Sequence, residues 1–173
     1  QEMNAFYESW WEDVIKETKF SVIELGKDSI DVITCHDART IDQSPPWNQQ
    51  LIRRGNPMKP AKFSVNFVKE GKYNISLRRW PMESGLALGG EILDKVPATS
   101  INDGRINGKA MAFKKAYLKI GEEAYAVDVN NADQAATMEV EVQKGETELL
   151  AYFDMEDGTE CNAFYIYTER IDQ

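Results

Sequence analysis

Between residues 3 and 17 apolar side chains recur every three or four positions. Met3, Tyr7, Trp10 and Val14 form the stripe, Trp11 and Ile15 widen it, and Glu8, Glu12, Asp13 and Lys16 supply polar positions. That spacing predicts one amphipathic helix. A helix of this length draws most of its stability from laying its stripe on another surface. Residues 1–19 are therefore read as a helix packed on a single domain formed by residues 20–173.

From residue 20 the period changes to two. Phe20–Leu25 and Ile30–Cys35 flank a turn at Gly26-Lys27-Asp28. The plainest alternation runs over 62–80: Phe63, Val65 and Phe67 alternate with Lys62, Ser64 and Asn66. After a turn at Glu70-Gly71, Tyr73, Ile75 and Leu77 alternate with Asn74, Ser76 and Arg78. This reads as a hairpin with its apolar set inward. Carried on strictly, the alternation turns Arg79 inward and Trp80 outward; a bulge near Arg78-Arg79 would return Trp80 to the core. Further strands are expected near 111–120, 124–129, 136–143, 147–154 and 161–168, with turns at Lys144-Gly145 and Glu156-Asp157-Gly158. In the last of these strands both faces are partly apolar, which suggests cover on both sides, with the N-terminal helix as one candidate cover. Long turn-rich connections occupy 37–60 and 81–110. Many short strands, long connections and one terminal helix give an all-β reading. The expected form is a two-sheet antiparallel sandwich, jelly-roll-like or galactose-binding-like.

Composition narrows the function classes. A chain of 173 residues with 42% hydrophobic content can bury a core without metals or disulfides. The net charge of −9 repels nucleic acid and anionic membranes on average. The basic pairs Arg53-Arg54 and Arg78-Arg79 do not make a phosphate-binding stripe. No apolar run approaches the roughly 18 residues of a membrane span, so neither nucleic acid nor membrane insertion is expected. Cys35 and Cys161 read as buried free thiols, with a single disulfide as the other reading. One histidine leaves no cysteine–histidine zinc site.

No complete catalytic site is legible, and no cofactor is implied. His36 and Asp37 are adjacent, so on an extended strand they would point to opposite faces and form no acid–base dyad. The acidic stretch 154–160 lacks the ligand spacing of a calcium loop and is explained by its turn; no metal ligand is assigned. Surface function falls instead on Trp47, Asn48, Gln49, Arg78, Arg79 and Trp80, with His36 and Asp37 as further contact candidates. An aromatic face dehydrates the apolar face of a sugar ring, while planar amide and guanidinium groups meet its hydroxyls. A sulfated sugar would add an anion suited to arginine. Docking of the same residues against a partner domain is the competing reading.

Five blocks carry a resemblance. They are Phe6-Tyr7-Glu8-Ser9-Trp10-Trp11, Thr34-Cys35-His36-Asp37 and Pro46-Trp47-Asn48-Gln49, then Gly71-Lys72-Tyr73 with Leu77-Arg78-Arg79-Trp80-Pro81 and Glu83. The last is Leu149–Asp154 with Asp157-Gly158 and Ala163–Tyr167. In this order they resemble the C-terminal accessory region of bacterial arylsulfatase-like proteins. The resemblance implies a non-catalytic module docked on an upstream sulfatase-like catalytic domain, in a periplasmic or secreted protein. The family's Cys/Ser-x-Pro/Ala-x-Arg motif is missing around both Cys35 and Cys161, so no catalytic residue carries over. Ala38 and Arg39 also depart from the tryptophan and histidine that relatives show after the aspartate. The alternative function is an independent carbohydrate-binding module for neutral or sulfated glycans.

Overall fold

The computed structural model describes residues 2–17, 22–38, 45–46, 48–100 and 104–172. Helix α1 spans Glu2–Glu17. Its aromatic face is exposed: Phe6, Tyr7, Trp10 and Trp11 all lie open to solvent, and the Tyr7 ring stacks on Trp11 with centroids 6.4 Å apart.

The rest is an all-β sandwich of two sheets. Strands β1 (Ile23–Leu25), β3 (Lys62–Phe67), β8 (Gly145–Met155), β5 (Phe113–Ile120) and β6 (Glu123–Asp128) lie side by side in that order in one sheet. Strand β9 (Glu160–Asn162) pairs with the far half of β8. The second sheet runs β2 (Ile30–Thr34), β10 (Tyr165–Arg170), β4 (Gly71–Arg78) and β7 (Ala136–Val142). All pairings are antiparallel except β1 with β3. Between the sheets lie the alternating apolar positions read from the sequence: Phe63, Val65 and Phe67 from β3, Tyr73, Ile75 and Leu77 from β4, and Leu149, Ala151 and Phe153 from β8 are all buried.

The strands and their faces follow from period-2 patterning, but their partners do not. The apparent hairpin over 62–80 is an arch. Strand β3 pairs with β8 in one sheet, while β4 pairs with β10 and β7 in the other. The same holds for β1 and β2, which flank the Gly26 turn yet belong to different sheets. The final segment is apolar on both faces for a related reason: it crosses from β9 in one sheet to β10 in the other. Cys161, Asn162, Ala163 and Phe164 are buried at the crossing. Asn162 secures it, accepting a hydrogen bond from the Ala61 N–H at 2.9 Å and donating to the Ala163 carbonyl at 2.7 Å.

Both cysteines are free and buried. Burial pushes each thiol up to about 11, which leaves them protonated and unreactive at neutral pH.

Candidate functional site

Short turns close one end of the sandwich. The other end carries the long connections, and these build a cleft of about 720 Å³.

One wall is helix α2 (Gln49–Arg53), whose placement follows from local sequence. Pro46 restricts Pro45 to extended geometry. Asn48 then caps the helix, its side-chain oxygen accepting from the Leu51 N–H at 3.2 Å. Ile52 and Arg53 turn inward, which leaves Gln49 exposed and Gln50 half-buried.

The opposite wall is the 104–106 loop, held to α2 by a polar clamp. Gln50 donates to the Gly104 carbonyl and accepts from the Ile106 N–H at 3.0 Å. Arg53 forks onto both oxygens of Asp94 and donates to the Ile106 carbonyl at 2.9 Å. Arg105 reaches the same carboxylate at 3.1 Å. These guanidinium groups, Arg53 first, hold the Asp94 carboxyl below its ordinary value.

The floor is formed by Trp80, Pro81 and Leu86. Strand β4 ends at Arg78, so the alternation stops there and both Arg79 and Trp80 are buried. Arg79 goes inward as strict alternation requires. Trp80 joins the core because the chain leaves the sheet, not through a bulge. The Arg79 guanidinium lies 4.4 Å from the Trp80 ring centroid. That contact occupies the indole, so no open aromatic face is offered there to a sugar. Arg79 itself donates to the Lys109 carbonyl at 2.7 Å, the Ile52 carbonyl at 3.3 Å and the Leu88 carbonyl at 3.5 Å. It thereby straps α2 and the long connection onto the second sheet. Burial lowers its pKa to about 10, so it stays charged at neutral pH.

The residues read from the sequence divide accordingly. Asn48, Gln49 and Trp80 line the cleft, and Arg79 lies beneath it. Arg78 sits on the outer face of the second sheet, in register with Tyr165, which accepts a hydrogen bond from the Gln49 side chain. His36 and Asp37 are exposed on a short 3-10 turn, Cys35–Asp37, after β2. The Asp37 carboxylate accepts from the Thr34 N–H at 2.8 Å and the Thr34 hydroxyl at 2.9 Å, which gives it a capping role. Trp47 lies outside the described residues. The Glu156-Asp157-Gly158 turn is closed by Asp157, which accepts from the Thr159 N–H at 2.9 Å and its hydroxyl at 2.7 Å. Among the described residues no group of three or more His, Cys, Asp and Glu side chains is placed to hold a metal ion.

Sequence reasoning did not single out Gln50, Arg53, Arg105, Tyr165 or Tyr167. The tyrosines were legible as one face of an alternating strand. The Arg53–Asp94–Arg105 grouping joins residues from three segments and left no local signal.

No family model matches the chain, and no curated protein matches it. Among solved structures it is similar to a ruminal GH26 endo-β-1,4-mannanase, with a TM-score of 0.46 and 13% identity, covering 85% of this chain and 27% of that one. It is also similar to the Podospora anserina GH26-CBM35 β-(1,4)-mannanase, with a TM-score of 0.40 and 11% identity, covering 85% of this chain and 28% of that one. The chain thus spans little more than a quarter of the length of either.

These comparisons overturn the sulfatase-like resemblance, and with it the expected upstream sulfatase-like partner. The physical reason lies in what the blocks are made of. Leu77, Trp80, Leu149, Ala151, Phe153, Ala163, Phe164 and Ile166 are all core positions. Short apolar blocks of this kind record the packing demands of a sandwich, which chains of different function share.

Proposed function

We propose that this chain is a carbohydrate-binding module, acting as a non-catalytic accessory to glycan recognition. The observation that carries this reading is the cleft at the long-connection end. Planar amide and guanidinium groups from Gln49 and Arg105 form its rims above an apolar floor of Pro81, Leu86 and the edge of Trp80. Sugar recognition needs this pairing, because each ring presents hydroxyls that require directional partners and C–H surfaces that gain from leaving water. The clamp through Gln50, Arg53 and Asp94 fixes the walls before any ligand arrives, which limits the ordering cost of binding. We assign residues 20–173 to the single β-sandwich module and 1–19 to its N-terminal amphipathic helix.

The test is calorimetric titration against a broad panel of neutral and acidic oligosaccharides. Binding at millimolar affinity or tighter is expected, with Gln49→Ala weakening it about tenfold (~1.4 kcal/mol) at unchanged melting temperature. Absence of binding across the panel refutes the reading. Trp80→Ala is unsuitable as a probe, because removing a buried indole would unfold the site.

A further inference from the structure

The outer faces of the two sheets differ in kind. On the first, charges stand in cross-strand pairs, Lys62 with Glu148 at 2.7 Å and Lys115 with Asp128 at 3.4 Å. On the second, alternation turns a different set outward. In the row nearest the cleft, Thr34, Tyr165 and Arg78 lie side by side; in the next lie Val32, Tyr167, Ser76 and Thr137. These two rows hold a single charge, Arg78, and it is buried. Carboxylates return only in the third row, at Glu169 and Glu139. A chain of net charge −9 thus keeps the part of this face that adjoins the cleft free of exposed charge.

Tyr167 gives this face a wall and Val32 gives it a floor. The Arg78 guanidinium carbon lies 5.7 Å from the Tyr167 ring centroid and backs the ring on the β4 side. On the β2 side the neighbour is Val32, a shorter side chain that is 48% exposed, with Ile30 beyond it at 43%. Exposed β-branched side chains beside an aromatic ring form an apolar patch that gains from cover. The patch is joined to the cleft at two points. The Tyr167 hydroxyl accepts from the Met82 N–H at 2.9 Å, and Met82 follows Pro81 of the cleft floor. The Tyr165 hydroxyl accepts from Gln49, which rims the cleft. Both rings are therefore tied to the cleft before any ligand arrives.

We propose that the glycan held in the cleft runs on across Tyr165, Tyr167 and Val32, so that the module recognises several consecutive units of a linear, uncharged polysaccharide and not a single sugar. This rests on the carbohydrate-binding reading. The wall and floor take the C–H face of a sugar ring out of water. The hydroxyls of Ser76 and Thr137, bonded to each other at 2.8 Å, keep further capacity for the hydroxyls of the ligand. A charged partner would find no exposed opposite charge in these two rows.

A length series tests it. Neutral β-1,4-linked gluco-, manno- and xylo-oligosaccharides, each from disaccharide to hexasaccharide, are titrated into the full chain. In the series that binds, the hexasaccharide should bind at least tenfold tighter than the disaccharide. Val32→Lys, a change that an edge strand accommodates, should remove most of that gain while leaving disaccharide affinity and melting temperature unchanged. A second measurement requires no variant. Backbone amide shifts are followed by NMR: the disaccharide should move only amides around the cleft, such as Gln49 and Gln50, whereas the hexasaccharide should also move those of Val32, Ser76 and Tyr167. Equal affinity across the lengths, or a hexasaccharide that moves only the cleft amides, overturns this inference but leaves the carbohydrate-binding reading standing. Self-association of the chain in sedimentation, abolished by Val32→Lys, also overturns it, because a second copy would then be what covers the patch. Failure of every oligosaccharide to bind instead removes the carbohydrate-binding reading itself.

Discussion

The two ends of this sandwich are built on opposite terms. At one end the strands are joined by tight arches: Gly26–Ser29 between β1 and β2, Val68–Glu70 between β3 and β4, and Gln143–Lys144 between β7 and β8. These links hold the two sheets together and leave little room for anything else. At the other end long connections join β2 to β3 and β4 to β5, and among the described residues polar side chains from helix α2 reach across sequence to the 94–106 segment. One end is specified by backbone geometry. The other is specified by arginines, glutamines and one aspartate. On the carbohydrate-binding reading, recognition would be confined to the end held by side chains, away from the arches that join the two sheets.

The sharpest way to break that contrast is to cut the strap at the open end. Arg79→Met removes the cation that satisfies the Ile52, Lys109 and Leu88 carbonyls. Hydrogen bonds to a charged donor contribute about 1.5–3 kcal/mol each, and relief of guanidinium burial offsets part of the loss. The expected cost is about 3 kcal/mol in urea melts, with glycan affinity lost as α2 and the 86–110 connection loosen. If stability is unchanged, the open end is held by its apolar contacts alone and the contrast fails.

At the closed end the corresponding change is Gly26→Ala. Gly26 has φ +81°, and an added Cβ would lie 2.2 Å from the Tyr73 hydroxyl oxygen. That hydroxyl donates to the Lys69 carbonyl at 2.8 Å, so the substitution strains one arch and displaces a bond in its neighbour. The expected loss is about 2 kcal/mol. Because the change lies at the far end, affinity for any bound glycan should stay within error at a temperature where the protein is folded. A fall in affinity would show the two ends to be coupled.

The same division explains how much could be read from the sequence. The strand positions and inward faces were legible, because one buried face imposes a period of two: Phe63-Val65-Phe67 and Tyr73-Ile75-Leu77 could hardly face elsewhere. Which strands pair was not legible. The Glu70-Gly71 turn looks the same locally whether the chain returns beside itself or crosses to the facing sheet. The site was legible in part. Asn48 and Gln49 stood out as planar amides beside Trp47, and Trp80 through its break with alternation, while the helix that Asn48 caps was not read. Burial of Trp80 was one of two outcomes left open, and the choice was not legible because nothing local shows that β4 ends at Arg78. Arg53, Asp94 and Arg105 are far apart in sequence, and only the folded long connections bring them together.

That grouping supplies the mildest probe of the contrast. The Asp94 carboxyl is held below its ordinary value of 3.8, chiefly by the hydrogen bonds from Arg53 and then by the charges of Arg53 and Arg105. A carboxylate with a lowered folded-state pKa contributes stability that is fully present above the unfolded value. That contribution is lost as pH falls through the folded value. The clamp should therefore stay intact down to about pH 4 and open only below it. At the closed end the Asp172 carboxyl is also held below its ordinary value, against the upward push of burial, by backbone hydrogen bonds and then by Arg170, whose Nε lies 3.0 Å away, so the sheets are read at mid-strand amides away from it. Amide exchange of Val96 and Arg105, whose N–H groups bond to each other's carbonyls at 2.7 and 2.8 Å, reports the open end. Exchange across β4 and β10 reports the sheets. On acidification below pH 4 the first pair should lose protection while the strands keep theirs, and Asp94→Asn should show the weakened clamp already at neutral pH with little further change in acid. Simultaneous loss of protection at both sets of amides would mean that the two ends respond to acid as one unit, and the separation of holding from recognising would not survive it.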